Sequence, residues 1–406
     1  MSGAMPGGNR ADPRPRHGLR PVVNVSGTMT SLGAAAVRAE VIEAVTPFLS
    51  QFVELDDLQR QASAAIAKAC GSEAGCVTAC ASSGVTLAIA GAMTGADMAR
   101  IERLPDATDM KNEVVIQLGH LVNYGAPIDQ AIRLSGARVV PVGTATRAEA
   151  YQLSGAINDR TAAALYVVSH HAVNYGQIPL AAFIAECKAK NVPVIVDGAA
   201  EYDLKGFLAA GADIAVHSAH KFLRGFTAGI LAGRRDLVRA AYLQNYGIGR
   251  GMKVGKEGIV GAMAALRAWE KRDPKADRAR QNGYLGLWQE SLANMPGIAA
   301  TIEPDPTGNP VSRLKVQVDP AKAGVAAWDL ADALSAGDPP VIVRDDEIDL
   351  GCFQLDPTCL HPGEEKIVAE RLAAECQRAR AKPAAKPSSP VARQKRRLER
   401  LLRWPE

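Results

Sequence analysis

A lysine and an aspartate follow two consecutive apolar runs in the middle of the chain. Asp197 comes directly after "VPVIV", and Lys221 stands 24 residues later, on a tight connection between the apolar runs 214–216 and 229–232. A carboxylate after a buried strand needs a cationic partner, because burying an unpaired charge is costly. This arrangement meets the needs of a pyridoxal phosphate site: the lysine amine forms a Schiff base, and the carboxylate keeps the pyridine nitrogen protonated.

Two further segments can complete such a site. "ASSGVT" opens a helix, where Ser82, Ser83 and Gly84 can bind a phosphate dianion through hydroxyl and amide groups. His120 ends the segment "EVVIQLGH", and its flat ring can stack on the cofactor. Each feature alone also has a structural explanation, since the aspartate and "SSG" can cap helices and His120 can be an interior histidine. Their combination in this chain order favours the cofactor site.

The segments that carry these residues alternate between short apolar runs and helical stretches. Strands that are apolar throughout indicate a mostly parallel sheet with both faces covered, and ligands of such sheets bind at the carboxyl ends of the strands. Shorter strands and helices after Pro296 indicate a smaller α+β domain. We expect disorder in residues 1–20, a large domain with an N-terminal arm in 21–265, a small domain with a linking helix in 266–380, and a Pro/Ala linker with a basic tail in 381–406.

Composition excludes several classes of protein. The chain has 406 residues, 47% of them hydrophobic, which suffices for a large and a smaller domain. Its net charge of +4 comes mostly from the two ends, so no stripe for nucleic acid is expected. Seven scattered cysteines argue against a secreted disulfide framework, and Cys76 and Cys80 lack partners at metal-site spacing. No signal peptide or membrane-length apolar window is present, which predicts a cytoplasmic location.

Longer motifs carry a resemblance to a known family. "VDGAAEYDLKGFLAAGADIAVHSAHKFLRG", "GIGRGMKVGKEGIVGAMAAL", "VVNVSGTMTSLG" and "PPVIVRDDEIDLGCFQLDP" resemble fold type I pyridoxal phosphate enzymes of the group containing D-glucosaminate-6-phosphate ammonia-lyase and selenocysteine synthase (seryl-tRNA selenium transferase). The resemblance covers about Pro21 to Ala379. It implies an aspartate aminotransferase-like large domain with a mostly parallel seven-stranded sheet. It differs at Arg224-Gly225-Phe226, where relatives commonly have Gly-Gly-Pro, so the subunit contact near the phosphate is expected to differ.

The resemblance also implies roles for individual residues. Lys221 is the Schiff-base lysine and Asp197 the partner of the pyridinium. Around the cofactor it places Ser82, Ser83, Gly84, His120, Ser218 and His220. Arg344, after the strand "PPVIV", is expected to bind a substrate carboxylate. "SHHAVNYGQ" supplies Ser169 to the substrate and His170 and His171 as acid or base groups; "RGMKVGK" offers Arg250 and Lys253 to the substrate, or else stabilises a dimer.

The expected reaction is α,β-elimination on a hydroxy-amino acid such as an amino-sugar acid, giving a 2-oxo acid and ammonia. Racemase, aldolase and transaminase chemistry share its first steps and stay open as alternatives. Selenocysteine synthase-like replacement on seryl-tRNA is disfavoured, because only about 20 residues precede the matching region and the basic tail is a small footprint for RNA. A non-catalytic binding module is disfavoured by the presence of both Lys221 and Asp197. The resemblance further predicts a homodimer or a higher symmetric oligomer.

Overall fold

The computed structural model describes residues 12–381 and 389–405, which form two units. The larger unit is Gly33–Asp273 together with Asp305–Pro310, and the smaller unit contains the described residues up to Leu32, Pro274–Pro304 and those from Val311 onward. The strands are β1 (Val23–Val25), β2 (Ala74–Thr78), β3 (Glu113–Gln117), β4 (Arg138–Val142), β5 (Thr161–Val167), β6 (Val194–Asp197), β7 (Ile214–Ser218), β8 (Gly229–Gly233), β9 (Ile298–Pro304), β10 (Ser312–Val318), β11 (Val341–Val343) and β12 (Cys352–Leu355). The α-helices are α1 (Ala39–Val45), α2 (Leu55–Cys70), α3 (Ala81–Thr94), α4 (Met98–Arg103), α5 (Ile128–Arg133), α6 (Ala150–Ala156), α7 (Leu180–Ala189), α8 (Gly206–Ala209), α9 (Arg235–Leu243), α10 (Lys256–Lys271), α11 (Pro274–Leu292), α12 (Pro320–Ala323), α13 (Ala327–Ala336), α14 (Glu364–Ala381) and α15 (Pro390–Leu402).

A seven-stranded sheet forms the centre of the larger unit. Its strand order is β2-β8-β7-β6-β5-β3-β4. Strands β4, β3, β5, β6 and β7 run parallel, and β8 is antiparallel to both of its neighbours. The predicted α/β fold with a mostly parallel sheet is therefore confirmed.

Helices cover both faces of this sheet, as the continuous apolar strands predict. Val114 and Ile116 of β3 pack in one cluster with residues of α3, α5 and α9. The intervening Val115 packs in another cluster with residues of α6 and α7. Because side chains alternate between faces along a strand, a run that is buried on both faces must be apolar at every position.

Two helix boundaries follow from local chemistry. Helix α2 ends at Cys70, since the following Gly71 adopts a left-handed conformation (φ 67°) that closes the helix. The helical region from Lys256 to Leu292 is divided into α10 and α11. Proline at position 274 lacks an amide hydrogen and therefore begins a new helix rather than continuing the first.

The smaller unit contains an antiparallel sheet, β12-β10-β9, and a parallel pair, β1-β11. Trp288 and Phe353 are fully buried in its core. Beside this core Arg313 donates to Asp356 at 2.8 Å, with only 7% and 2% of the two side chains exposed. A buried ion pair of this kind is costly to break, because the remaining charge has no water around it.

The two ends of the chain lie partly outside the described residues. Of the segment predicted to be disordered, residues 1–11 are outside, whereas Arg14–His17 forms a 3-10 helix next to the Asp12 carboxylate. The predicted Pro/Ala linker falls mainly on residues 382–388, which are also outside. The basic tail forms α15 and is more than a solvated end, because Arg393 donates to two carboxylates of the smaller unit at 2.8 Å. In the part of the chain that the structure describes, no helix is both long and apolar enough to cross a membrane.

Candidate active site

Asp197 lies at the carboxyl end of the central sheet. It is the last residue of β6, paired in register with Val167 on one side and Val216 on the other. Its side chain is buried and accepts a hydrogen bond from the amide of Ala199 at 3.1 Å. Burial raises the pKa of Asp197, and the positive charge of Lys221 and the Ala199 amide act against that shift. Asp197 is therefore a buried acid whose pKa depends on the charge of Lys221, the predicted Schiff-base lysine.

Lys221 lies in the turn that follows β7. The amide of Arg224 donates to the carbonyl of Lys221 at 3.0 Å, and the amide of Gly225 donates to the carbonyl of Ala219 at 2.7 Å. These bonds make the turn tight, and a side chain at Gly225 would meet that carbonyl at 2.9 Å. Arg224 has a left-handed conformation (φ 56°), which glycine adopts more readily than other residues.

Ser218 and His220 are neighbours of the lysine. Ser218 ends β7, and its hydroxyl lies 3.0 Å from Nδ1 of His220. Burial lowers the pKa of His220, a hydrogen bond with the Ala228 backbone raises it, and the Lys221 charge lowers it further. The structure thus brings Asp197, Ser218, His220 and Lys221 into one region.

The amino end of α3 also lies at this side of the sheet, but its three predicted residues differ in what they contact. Ser83 forms a capping box with Cys80: its hydroxyl accepts from the Cys80 amide at 2.9 Å. Gly84 allows close packing, because a Cβ there would lie 2.8 Å from Leu231. Ser82 is the one whose hydroxyl lies 2.8 Å from the hydroxyl of Tyr124. The capping and the phosphate-binding interpretations of "SSG" are therefore compatible, with different groups involved.

His120 ends a 3-10 helix that follows β3. It is buried, and its Nδ1 accepts a hydrogen bond from the amide of Val167 at 3.1 Å. Its ring packs against the edge of Tyr166 with 4.5 Å between centroids. Burial lowers the pKa of His120 to about 4, so the ring is neutral near physiological pH.

The segment "SHHAVNYGQ" follows β5, next to the strand that carries Asp197. Ser169 accepts a hydrogen bond from the amide of His171 at 3.1 Å. The rings of His170 and His171 pack with 3.8 Å between centroids, His170 half-buried and His171 exposed. Both side chains are therefore at least partly exposed to solvent.

The remaining predicted substrate residues belong to other segments of the chain. Arg250 and Lys253 are exposed on the segment before α10. Arg344 belongs to the smaller unit, where it is buried, directly follows β11 and pairs with Asp346 at 3.1 Å. The roles of these three residues stay predictions.

Sequence reasoning missed two residues, Tyr124 and Glu201. Tyr124 pairs with Ser82, and burial raises its pKa. Glu201 lies four residues after Asp197, is buried, and accepts a hydrogen bond from Thr307 at 2.9 Å. The motif "DGAAEYD" contains Glu201, but its partner is 106 residues away in sequence, so no local pattern could have identified the pair.

Comparison with known proteins finds relatives over most of the chain. A family model described as L-seryl-tRNA selenium transferase (SelA) matches residues 22–330. D-glucosaminate-6-phosphate ammonia lyase from Salmonella typhimurium (strain 14028s / SGSC 2262) is 38% identical over 355 residues, which cover 87% of this chain and 95% of the relative. The 5'-C-glycyluridine monooxygenase-decarboxylase from a Streptomyces species is 37% identical over 357 residues, which cover 87% and 90%.

Solved structures give the same result at the level of the fold. A structure of D-glucosaminate-6-phosphate ammonia-lyase matches with a TM-score of 0.82 and 37% identity, covering 91% of this chain and 99% of that chain. Aspartate aminotransferase from Thermus thermophilus matches with a TM-score of 0.56 and 14% identity, covering 89% and 93%. The predicted aspartate aminotransferase-like fold is therefore confirmed.

Proposed function

Because this chain belongs to the L-seryl-tRNA selenium transferase family, we propose that it is a pyridoxal phosphate-dependent lyase. The reaction is an α,β-elimination on a hydroxy-amino acid, such as an amino-sugar acid, that gives a 2-oxo acid and ammonia. Support comes from the relative named as an ammonia lyase, which is matched over 95% of its length. The name of that relative states a phosphorylated substrate. For this chain the proposal includes both phosphorylated and unphosphorylated amino-sugar acids.

The observation that carries the proposal is the buried acid Asp197 in the field of Lys221. A carboxyl group with its pKa raised by burial favours a neighbouring cation, and a protonated pyridine nitrogen is such a cation. The neutral ring of His120 and the amino end of α3 lie at the same side of the sheet. These residues fit pyridoxal phosphate, with Ser82, Ser83 and Gly84 toward the phosphate and His120 toward the ring.

Bound pyridoxal phosphate would supply an electron sink for negative charge at the substrate α-carbon. Asp197 would keep a proton on the ring nitrogen through its own negative charge. Lys221 would hold the cofactor covalently, and its Nζ, set free when the substrate amine takes its place, would accept the α-proton of the substrate. Ser218 and His220 would orient the turn that carries the lysine, and Tyr124 would orient Ser82.

His170 or His171 would donate a proton to the departing β-hydroxyl, which leaves as water. Ser169 would fix the backbone of this segment, and Arg344 would bind the substrate carboxylate through its guanidinium. Hydrolysis of the carbon–nitrogen bond then gives the 2-oxo acid and ammonia, so the overall reaction needs no oxidant or reductant. Arg250 and Lys253 are proposed for a phosphate or another anionic group of the substrate. A homodimer and a cytoplasmic location also stay predictions.

An absorbance scan tests the cofactor assignment. The full-length chain with pyridoxal phosphate should show a visible band that Lys221→Ala abolishes and that Lys190→Ala, an exposed lysine at the end of α7, leaves intact. Incubation with amino-sugar acids, phosphorylated and not, and with hydroxy-amino acids should release ammonia and a 2-oxo acid in equal amounts. A band that survives Lys221→Ala would overturn the assignment. Turnover of a glycyluridine substrate without ammonia release would instead favour the activity named for the Streptomyces relative.

A further inference from the structure

A short segment of the chain clamps the turn that follows Asp197. Asp305–Pro310 connects β9 and β10, yet it belongs to the larger unit. The side-chain oxygen of Asn309 accepts a hydrogen bond from the amide of Tyr202 at 2.9 Å. The hydroxyl of Thr307 lies 2.9 Å from Oε2 of Glu201. The segment therefore holds both the backbone and the carboxyl group of this turn.

The hydroxyl of Thr307 lies within hydrogen-bond distance of two acids. Its hydroxyl also lies 2.7 Å from Oδ1 of Asp305, but a hydroxyl has only one hydrogen to donate. Asp305 already accepts from the amide of Thr307 at 3.0 Å and from the side chain of Asn309 at 3.2 Å, which stabilises its anionic form. Glu201 is thus the acid better placed to take up a proton, and its anion accepts the hydrogen bond of the Thr307 hydroxyl.

The same turn packs on the turn that carries Lys221. The amide of Ser218 donates to the carbonyl of Ala199 at 3.2 Å. The ring of Tyr202 lies 3.9 Å from the ring of Phe222, centroid to centroid, and Phe222 directly follows the lysine. The contact between these two rings therefore links the turn that contains Glu201 to the turn that contains Lys221.

We propose that Glu201 is a positioning residue whose carboxyl group, held by Thr307, sets the charge state of Lys221 during the proton transfer assigned to that lysine. The inference rests on the proposed function, because it gives Lys221 the role of base. Glu201 forms an anion when a positive charge on Lys221 must be stabilised, and it takes up a proton when the lysine is neutral. Asp197 cannot also stabilise the charge of Lys221 in this way, because its carboxylate is proposed to face the protonated ring nitrogen.

The electrostatics of Glu201 agree with this role. Burial raises the pKa of Glu201 to about 7, and the negative charge of Asp305 raises it further. The hydrogen bonds from Thr307 and Asn309 and the positive charge of Lys221 act in the opposite direction. The ionisable groups around the pair come from three segments: Asp197 and Asp203 beside Glu201, His220 beside Lys221, and Asp305 in the clamping segment. A carboxyl group that ionises near neutral pH can exchange its proton where the enzyme works.

A pH titration of the visible absorbance of the full-length, cofactor-loaded protein tests the inference without measuring activity. Above about pH 7 the Glu201 anion should retain the positive charge at the Lys221 nitrogen, and Glu201→Gln removes that anion. We expect the midpoint of the spectral transition to fall by about one pH unit in this variant. Thr307→Val should shift it in the same direction by less, because Glu201 loses a donor to its anionic form, and Thr307→Ser should restore the midpoint.

Glu113→Gln is the matched control. Glu113 is also a buried glutamate of the larger unit, but it begins β3 and pairs with Arg160 and Asn158. We expect this variant to lose stability and to keep the native midpoint. An unchanged midpoint in Glu201→Gln would overturn the inference; if that variant does not fold, equal midpoints in Thr307→Val and Thr307→Ser would overturn it. Absence of a Lys221-dependent band in the native chain would refute the proposed function instead.

Discussion

Replacing His120 with glutamine should make the fold less sensitive to acid. The pKa of His120 is lowered to about 4 by burial, from an ordinary value of 6.5. Below pH 6.5 the unfolded chain therefore binds a proton at His120, whereas the folded chain binds it only when the pH approaches 4. The stability that His120 contributes is fully present above pH 6.5, falls as the pH drops toward 4, and is lost below that value. Between about pH 7.5 and about pH 5 the linkage amounts to about 2 kcal/mol.

Glutamine is the suitable replacement because its side-chain oxygen can still accept the amide hydrogen of Val167 and it does not titrate. Any constant cost of the substitution cancels when one variant is compared at two pH values. Urea unfolding of the full-length chain, followed by far-UV circular dichroism at both pH values, gives the difference in free energy. We expect this difference to be smaller in His120→Gln than in the native chain by about 2 kcal/mol.

His361→Gln, at an exposed position of the smaller unit, controls for the loss of a histidine and should retain the native pH dependence. If His120→Gln retained it too, the pKa of His120 would be the same in the folded and the unfolded chain. That result would refute the argument that burial of the ring in the folded protein lowers its pKa.

Three further predictions concern packing and hydrogen bonds. Asp356→Ala should lower the free energy of unfolding of the smaller unit by about 3–5 kcal/mol, since it removes the carboxylate that faces the buried guanidinium of Arg313. A loss in urea below about 1 kcal/mol would contradict this. Gly229→Ala should destabilise the larger unit by about 1–3 kcal/mol, because its Cβ would lie 2.3 Å from a backbone carbonyl oxygen. Gly155→Ala, with open space around it on α6, should stabilise the protein by about 0.5–1 kcal/mol, and equal melting temperatures of the two variants would contradict this reasoning. Tyr124→Phe and Ser82→Ala should each weaken pyridoxal phosphate binding about fivefold in a fluorescence titration, because each removes the same Ser82–Tyr124 hydrogen bond. The double variant should bind no more weakly than either single variant, and additive losses would contradict this coupling.

Much of the larger unit could be predicted from the sequence because its signals are local. The strands β2 to β8 are apolar at nearly every position, and a parallel sheet with two covered faces is the arrangement that satisfies such strands. Helix α2 ends at Gly71 because glycine adopts the left-handed conformation without steric cost. Asp197 and Lys221 could be predicted for the same reason. Asp197 directly follows an apolar run, Lys221 follows the next run after four residues, and parallel strands bring their carboxyl ends to one edge.

What the sequence by itself determined was the order of the elements and the types of residue at their ends. Only the tertiary structure decided which distant groups meet: Ser82 with Tyr124 across 42 residues, and Glu201 with Thr307 across 106. It also decided that Ser83 caps its own helix and that β1 pairs with β11 rather than with a neighbour in sequence. The physical reason is that helix and strand periods are set by backbone geometry within a few residues. A pair of distant side chains instead depends on how whole layers pack, and the local sequence of neither partner carries that information.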